Sequence, residues 1–344
     1  MGRAKVLKIV LDDRGSYLGM EKGCFVVRDR NDNVERFPLF ENEVGEVVLK
    51  SGNAVSTGAL ASLGFWGVDV LVLTQRGRPV AMLKSLDDDS HVETRVCQYE
   101  ALKNGKGAYV AKQIVLTKIT GENQVLKKHG LRQHDLMGVK ERVNSIEAEN
   151  LGLLRKRLLA MEGRCSKHYF EEVFKLFPKK LRPVCRRGFH AYDGVNNLFN
   201  LAYRLLFWKC YRALSKAHLE THLGFVHSLV PERPSLVCDF MELYRCLVDD
   251  FLIGFSRNLK PRHFEARSEM FKGKKGKRIY LKRVKTRELT GELHEFFMRK
   301  VRVPRFRHGN EQEVESLINE EAILLALFLR GRRESWVPRV AIPG

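Results

Sequence analysis

The hydrophobic period of this chain changes once, near residues 86 to 91, and that change decides what it can become. Up to about Lys84 the apolar residues fall in strand-length runs rich in Val, Ile and Phe. They are Val6 to Leu11, Cys24 to Arg28, Val34 to Leu39, Val47 to Lys50, Val68 to Thr74 and Pro79 to Lys84, separated by Gly, Asp and Asn turns. Asp29 to Asn33 reads as a hairpin turn, and Ser56 to Phe65 as one short helix capped by Ser56 or Thr57. The acidic triplet Asp87 to Asp89 makes a turn, and from His91 onward the period is helical. The segments are 91–104, 107–127, 135–160, 162–176, 194–219, 235–254, 284–301 and 310–331. The expected class is α+β: a small, mostly-β N-terminal domain over 1–86, then a larger all-α domain over 91–344.

Charge divides at the same place. Residues 1 to 90 hold 12 basic and 13 acidic residues in a chain whose net charge is +20, so the back of the molecule carries the whole surplus. A domain that basic favours a polyanion, and nucleic acid is the commonest one. The near-neutral front suits packing or dimer formation better. Between Ser256 and His308 stand 18 basic and 5 acidic residues, including FKGKKGKRIYLKRVKTR at 271–287. Glycines at 273 and 276 argue against a helix there and for a loop or hairpin, whose Lys272, Lys274, Lys275, Lys277 and Arg278 are candidate phosphate contacts. No run reaches the ~18 apolar residues of a membrane span, and the opening residues do not read as a signal peptide. Seven cysteines are scattered without a CxxC pair, which fits reduced thiols in a cytoplasmic protein with neither disulfides nor structural zinc.

One stretch concentrates candidate chemistry: LGFVHSLVPERPSLVCDFMELYR at 223–245. A histidine, His227, precedes a loop broken by Pro231 and Pro234, and then an apolar run carries Asp239 and Glu242. At i, i+3 on one helix these acids lie about 5 to 6 Å apart at Cβ and share a face. An acid pair on a helix is usually a solvated face. Here, though, Leu236, Val237, Phe240, Met241, Leu243, Leu247, Val248, Phe251 and Leu252 make the helix apolar round most of its circumference, and a buried carboxylate needs a cation or a basic partner. A divalent site would want a further protein oxygen from another element, and Glu162 in MEGRCSKHYF is the candidate. The glycine and small residues after it describe a helix flank kept thin for a close neighbour. Arg245, one turn past Glu242, could hold a carboxylate or contact a phosphate.

Taken in order, these pieces resemble a known family. They are Glu-Gly-x-small-small-x-x-Tyr-Phe at 162–170, Asp193-Gly-Val-Asn196-Asn197 opening a helix with Tyr203, Leu223-Gly-Phe-Val-His227, and Ser235-Leu-Val-Cys-Asp239-Phe-Met-Glu242-Leu-Tyr-Arg245. This is similar to the CRISPR-associated endonuclease/integrase of spacer acquisition, the "Cas one" family, which also places an N-terminal β-domain before a helical catalytic domain. Two departures are visible: a proline pair usual before the Asp-x-Val-Asn element is absent, and Cys165 and Ser166 stand where alanines are usual.

The resemblance implies that Glu162, His227 and Glu242 ligate one Mg²⁺ or Mn²⁺, with Asp239 the nearby acid that supports the site and could share the metal. It further implies a homodimer formed through the β-domain, assembly with the small "Cas two" adaptation protein, and double-stranded and branched DNA as substrates. The expected activity is metal-dependent cleavage of DNA and joining of short foreign DNA to a repeat array by transesterification. Two other readings use the same residues: a non-catalytic basic nucleic-acid-binding protein, which predicts no metal-dependent nicking, and a metal-dependent RNase, which substrate competition separates.

Overall fold

The structure, a computed structural model, describes residues 6–38, 43–75, 79–83, 92–188, 191–228, 230–231, 233–271, 274–302 and 311–339. The Asp87 to Asp89 turn and Lys272 therefore lie outside the described residues. The chain divides into two compact units, Met1–Ser90 and His91–Gly344.

The first unit is strand-rich. Its elements are β1 (Val6–Leu11), β2 (Tyr17–Glu21), β3 (Cys24–Arg28), β4 (Val34–Pro38), β5 (Glu43–Lys50), β6 (Ala54–Val55), α1 (Thr57–Phe65), β7 (Asp69–Leu73) and β8 (Pro79–Leu83). They form two four-stranded sheets, in the orders β1-β5-β7-β8 and β4-β3-β2-β6. Alternation fixes which face is buried: along β1, Ile9 and Leu11 enter a core with Leu18, Phe25, Val47, Leu63 and Val70, while Lys8 and Val10 face out. The β3–β4 hairpin turns where Asp29 accepts hydrogen bonds from the backbone N–H groups of Asn31 and Asn33. Ser56 caps α1 by accepting from the Ala59 N–H at 3.1 Å. Two strands escaped the sequence reading. β2 has Gly19 at its centre, which interrupts the β-branched pattern, and β6 is only two residues long. β5 also starts four residues early, because Glu46 breaks the apolar run; Lys8 holds that carboxylate at 3.0 Å.

The second unit is helical: α2 (Val92–Ala101), α3 (Gly105–Lys128), α4 (Leu136–Asn144), α5 (Leu151–Val173), α6 (Gly194–Lys216), α7 (Ser235–Met241), α8 (Arg245–Ser256), the hairpin β9 (Phe264–Phe271) and β10 (Lys274–Leu281), α9 (Arg283–Met298), the short pair β11 (Lys300–Arg302) and β12 (Glu311–Glu313), and α10 (Val314–Leu329). α3 packs on α5 and α8, and α6 on α7, α8 and α10. Their shared core is dominated by Tyr169, Phe199, Phe225, Phe240 and Trp336, all essentially inaccessible to solvent.

Among the helix boundaries that differ from expectation, two matter to the site. The expected division at residue 161 does not exist. α4 stops at Asn144, and α5 begins at Leu151 where Asn150 accepts from the Leu153 N–H, so Glu162 lies mid-helix. The expected single helix over 235–254 is instead two. Glu242, Leu243 and Tyr244 donate their N–H groups to the carbonyls of Asp239, Phe240 and Met241, three residues back, a tightened turn that separates α7 from α8. The basic stretch at 271–287 also resolves into two parts, with β10 paired to β9 from Lys274↔Phe271 to Leu281↔Phe264 and α9 starting at Arg283. No helix among the described residues is long and apolar enough to cross a membrane.

Candidate active site

The loop that delivers His227 is built around Asp239. That carboxylate is fully buried and accepts four hydrogen bonds: from the backbone N–H of Phe225 (2.5 Å) and Val226 (2.8 Å) on Oδ2, and from the His227 N–H (2.9 Å) and the His227 ring Nδ1 (2.6 Å) on Oδ1. Three amide donors and an imidazole satisfy a buried carboxylate that would otherwise be costly to desolvate. Gly224 permits the close approach: a Cβ there would sit 2.8 Å from Asp239 Oδ2. From α5, Arg155 clamps the outer side of the loop through the carbonyls of Phe225 (2.9 Å) and Gly224 (2.5 Å), and buried Gln98 of α2 holds the carbonyls of Glu220 and Leu223 at 3.0 Å each. With Nδ1 bound to Asp239, the imidazole presents Nε2 as its remaining nitrogen. Carboxylate–histidine pairs orient metal-binding imidazoles in this way.

The other half of the site comes from three elements that meet on one lysine. Lys118 of α3, whose side chain is 8% exposed, pairs with Glu162 Oε1 on α5, and its Nζ lies 2.8 Å from Glu242 Oε2 at the end of α7. Two oxygens within hydrogen-bond distance of one nitrogen lie no more than about 6 Å apart, so the fold brings Glu162 and Glu242 together. The Lys118–Glu242 contact lies off the line of a hydrogen bond, and Glu242 Oε2 is buried without a directed donor. Arg245 holds the other oxygen of Glu242 at 2.9 Å and stacks on the Tyr203 ring at 4.7 Å. Ser166, one turn beyond Glu162, donates to Glu162 Oε1 (3.0 Å) or to Glu122 Oε1 of α3 (2.7 Å).

The electrostatics follow from this crowding. Burial alone would raise the Glu242 carboxyl, but Arg245, Lys118 and His227 together hold it below its ordinary range, so it is ionised. Burial pulls the Lys118 ammonium down, and Glu242, Glu122 and Glu162 more than offset this, leaving it firmly protonated. Behind the site, Tyr203 and Tyr169 donate to Asp249 of α8, whose carboxyl burial pushes up to about 7.

Among the described residues no three His, Cys, Asp or Glu side chains form a group that could hold one ion, and the Lys118 ammonium contacts both glutamates. The donor set nevertheless suits a hard divalent cation: two carboxylates, one with a buried oxygen lacking a directed donor, and one tethered imidazole. Asp239 has spent its lone pairs on the loop and would act through His227. Of the basic candidates, Arg245 is committed to Glu242. Arg278 lies 3.6 Å from Glu269 and beside Tyr192, and Lys277 is exposed. β10 also carries Lys274 and Lys275. Sequence reasoning missed Lys118, Glu122, Ser166 and Arg155. One signal was available for the first two: Lys118 and Glu122 sit at i, i+4 among Ile114, Val115, Ile119 and Val125, all buried.

Fold and site together define an α+β protein of two units, strand-rich before helical, with an acid and imidazole centre on the helical half. The chain belongs to the family of the CRISPR associated protein Cas1, whose family model matches residues 9–290. It is 29% identical over 292 residues to the CRISPR-associated endonuclease Cas1 1 of Archaeoglobus fulgidus, covering 76% of this chain and 82% of that protein. Among solved structures it is similar to a casposase bound to integration product, with a TM-score of 0.76 and 19% identity over 95% of this chain and 92% of that one. It is also similar to a chain of a Cas6-RT-Cas1–Cas2 complex, with a TM-score of 0.72 and 20% identity over 98% of this chain and 36% of that one.

Proposed function

We propose that the protein is a divalent-metal-dependent DNA endonuclease and integrase that joins short foreign DNA to a repeat array by phosphodiester transesterification. The observation that carries this reading is the meeting of Glu162 and Glu242, from separate helices, on one lysine, with His227, its Nδ1 fixed by Asp239, close enough to Glu242 to act on its charge. Glu162, Glu242 and His227 Nε2 would hold one Mg²⁺ or Mn²⁺. When bound, such an ion polarises a phosphoryl oxygen and offsets the charge that builds during attack by a 3′-hydroxyl or water. Asp239 fixes the imidazole tautomer and the angle of its ring. Arg245 keeps Glu242 ionised and aimed, and its stacking on Tyr203 keeps Arg245 itself in place. Sequence-independent affinity for DNA comes from the basic second unit, with Lys277 of the β9–β10 hairpin exposed to meet phosphates.

The naming of its relatives as Cas1 endonucleases and its likeness to integration and Cas1–Cas2 assemblies support the choice of DNA and of a Cas2 partner. Homodimerisation through the near-neutral β unit and recognition of branched DNA belong to the same proposal.

Cleavage and strand joining of labelled duplex and branched DNA, with Mg²⁺ or Mn²⁺ titrated in, test it. Glu162→Gln and Glu242→Gln should each lower both activities by about a thousandfold or more while DNA affinity stays within about threefold, because binding rests on Lys and Arg elsewhere. His227→Ala should fall less in Mn²⁺ than in Mg²⁺. Activity that ignores the metal, or a large loss of affinity in the glutamate variants, would reassign these residues to folding or binding.

A further inference from the structure

Lys118 is an unusual neighbour for a pair of carboxylates that would ligate a divalent ion. Its ammonium lies where the two glutamates meet, paired with Glu162 and 2.8 Å from Glu242, in surroundings that leave it 8% exposed. The groups facing it are Glu122 from its own helix, Glu162 from α5, Glu242 from the end of α7, and Arg245 from α8. A cation and a divalent ion cannot share that position, since like charges at such separations in a buried site repel strongly.

The same helix carries an alternative acceptor. Glu122 lies one turn beyond Lys118, at the i, i+4 spacing that makes two helical residues neighbours. Its carboxylate is 3% exposed, Ser166 serves its Oε1, and its Oε2 is buried without a hydrogen bond; His134 Nε2, at 3.7 Å, is too far to supply one. A buried carboxylate oxygen left unpaired is costly and is rarely tolerated without a use. The flexible four-carbon stem of a lysine lets its ammonium turn from one acceptor to the next without moving the backbone.

We infer that Lys118 is a built-in stand-in cation that occupies the ion's place between Glu162 and Glu242, and that Glu122 is the seat to which its ammonium moves when a divalent ion arrives. The pair are positioning residues. In the ion-free protein Lys118 keeps the buried Glu242 and the partly buried Glu162 from repelling one another, and in the loaded protein it neutralises Glu122. Charge in the buried site is thereby compensated in both states. This inference rests on the metal-ion reading above and adds a mechanism for loading.

Calorimetric titration with Mn²⁺ alone, on the full-length protein, tests it in wild type, Lys118→Met, Glu122→Gln and the double variant. With the competing ammonium removed, Lys118→Met should bind Mn²⁺ about tenfold tighter or more, the size of one charge-assisted hydrogen bond. It should also melt at a lower temperature than wild type without metal and recover when Mn²⁺ is added. Glu122→Gln, which removes the second seat, should weaken Mn²⁺ binding severalfold in the wild-type background and leave it unchanged in the Lys118→Met background. Unchanged or weaker binding by a folded Lys118→Met overturns the inference, as does an equal effect of Glu122→Gln in both backgrounds. Should Lys118→Met fail to fold without metal, Glu122→Gln decides alone, and wild-type affinity in that variant overturns it. Glu162→Gln separates the two claims. If wild type binds no Mn²⁺, or if Glu162→Gln leaves binding intact, the metal-ion reading itself fails.

Discussion

The two halves of the site solve opposite problems. On the loop side, Asp239 is buried and saturated, with every donor coming from the Phe225 to His227 segment that it folds around itself. On the helix side, Glu162, Glu242 and Glu122 share two cations and a serine, and buried oxygens on Glu242 and Glu122 have no directed donor. Saturation makes a rigid support. Incomplete saturation leaves room for another ligand, because a group already making all its hydrogen bonds gains little from an incoming ion while an unsatisfied one gains much. Acids three residues apart in sequence therefore have different tasks, one holding the imidazole and the other available to an ion.

The sharpest way to break this comparison is to remove the saturated acid. Asp239→Ala strands three backbone N–H groups and an imidazole nitrogen inside the protein, and should cost ~3–5 kcal/mol of stability in urea unfolding, as loss of one partner from a buried charged network does. His227 would lose its fixed ring orientation as well, so any folded variant should bind Mn²⁺ poorly. If Asp239→Ala is as stable as wild type, the loop is held by Arg155 and Gln98 alone and Asp239 is not its support.

A second acid further along the same segment sharpens the contrast between charged and neutral burial. Asp249 accepts from Tyr203 (2.5 Å) and Tyr169 (3.0 Å), yet burial outweighs these bonds and the pull of Arg245 and Arg186, holding its carboxyl near 7. An aspartate in the unfolded chain titrates near 3.9. Between about pH 4 and 7 the folded protein thus holds a proton that the unfolded chain has released, and stability contributed by this group falls as pH rises through that window and levels off above it. Asp249→Asn is neutral in both states and lacks this dependence. From pH 5 to pH 7 wild type should lose ~2 kcal/mol relative to Asp249→Asn in urea titrations; a difference that stays flat would mean that Asp249 is ionised in the folded protein throughout.

How much of this was legible depends on the range of the interaction concerned. Strand alternation, the Ser56 cap and the helical period of the second unit are local signals, and most of their elements appear near where the period places them, while β2, β6 and the continuity of α5 do not follow from it. Glu162, His227 and Glu242 were singled out by ordered motifs. The break at Glu242 to Tyr244 was hidden because that segment is apolar on every side, so period carries no phase information there. Lys118 was hidden for a different reason: one lysine in a long amphipathic helix reads as a stem lying along the surface with its charge in water. Only the packing of α3 on α5 and α8 shows that its ammonium ends against acids from other helices. Arg155, within Arg-Lys-Arg at 155–157, likewise reads as solvated charge until the loop carbonyls it clamps are placed beside it.

The smallest expected effect tests whether the same distinction, between charge already spent and charge still available, extends to the β9–β10 hairpin. Arg278 and Lys277 are adjacent on β10 and so face opposite sides of the ribbon. Arg278 is largely buried, 3.6 Å from Glu269 and beside the Tyr192 ring, whereas Lys277 is exposed. A side chain that neutralises a phosphate releases a counterion, so its removal reduces the slope of log affinity against log salt by about 0.9. Lys277→Gln should do this and weaken DNA binding by roughly threefold to tenfold at low salt, while Arg278→Gln should leave the slope as it is and instead lower the melting temperature by loosening the hairpin. Equal loss of slope in both variants would show that Arg278 leaves Glu269 for the phosphate backbone when DNA binds, and that ion pairing within the free protein does not predict which basic side chains carry the load.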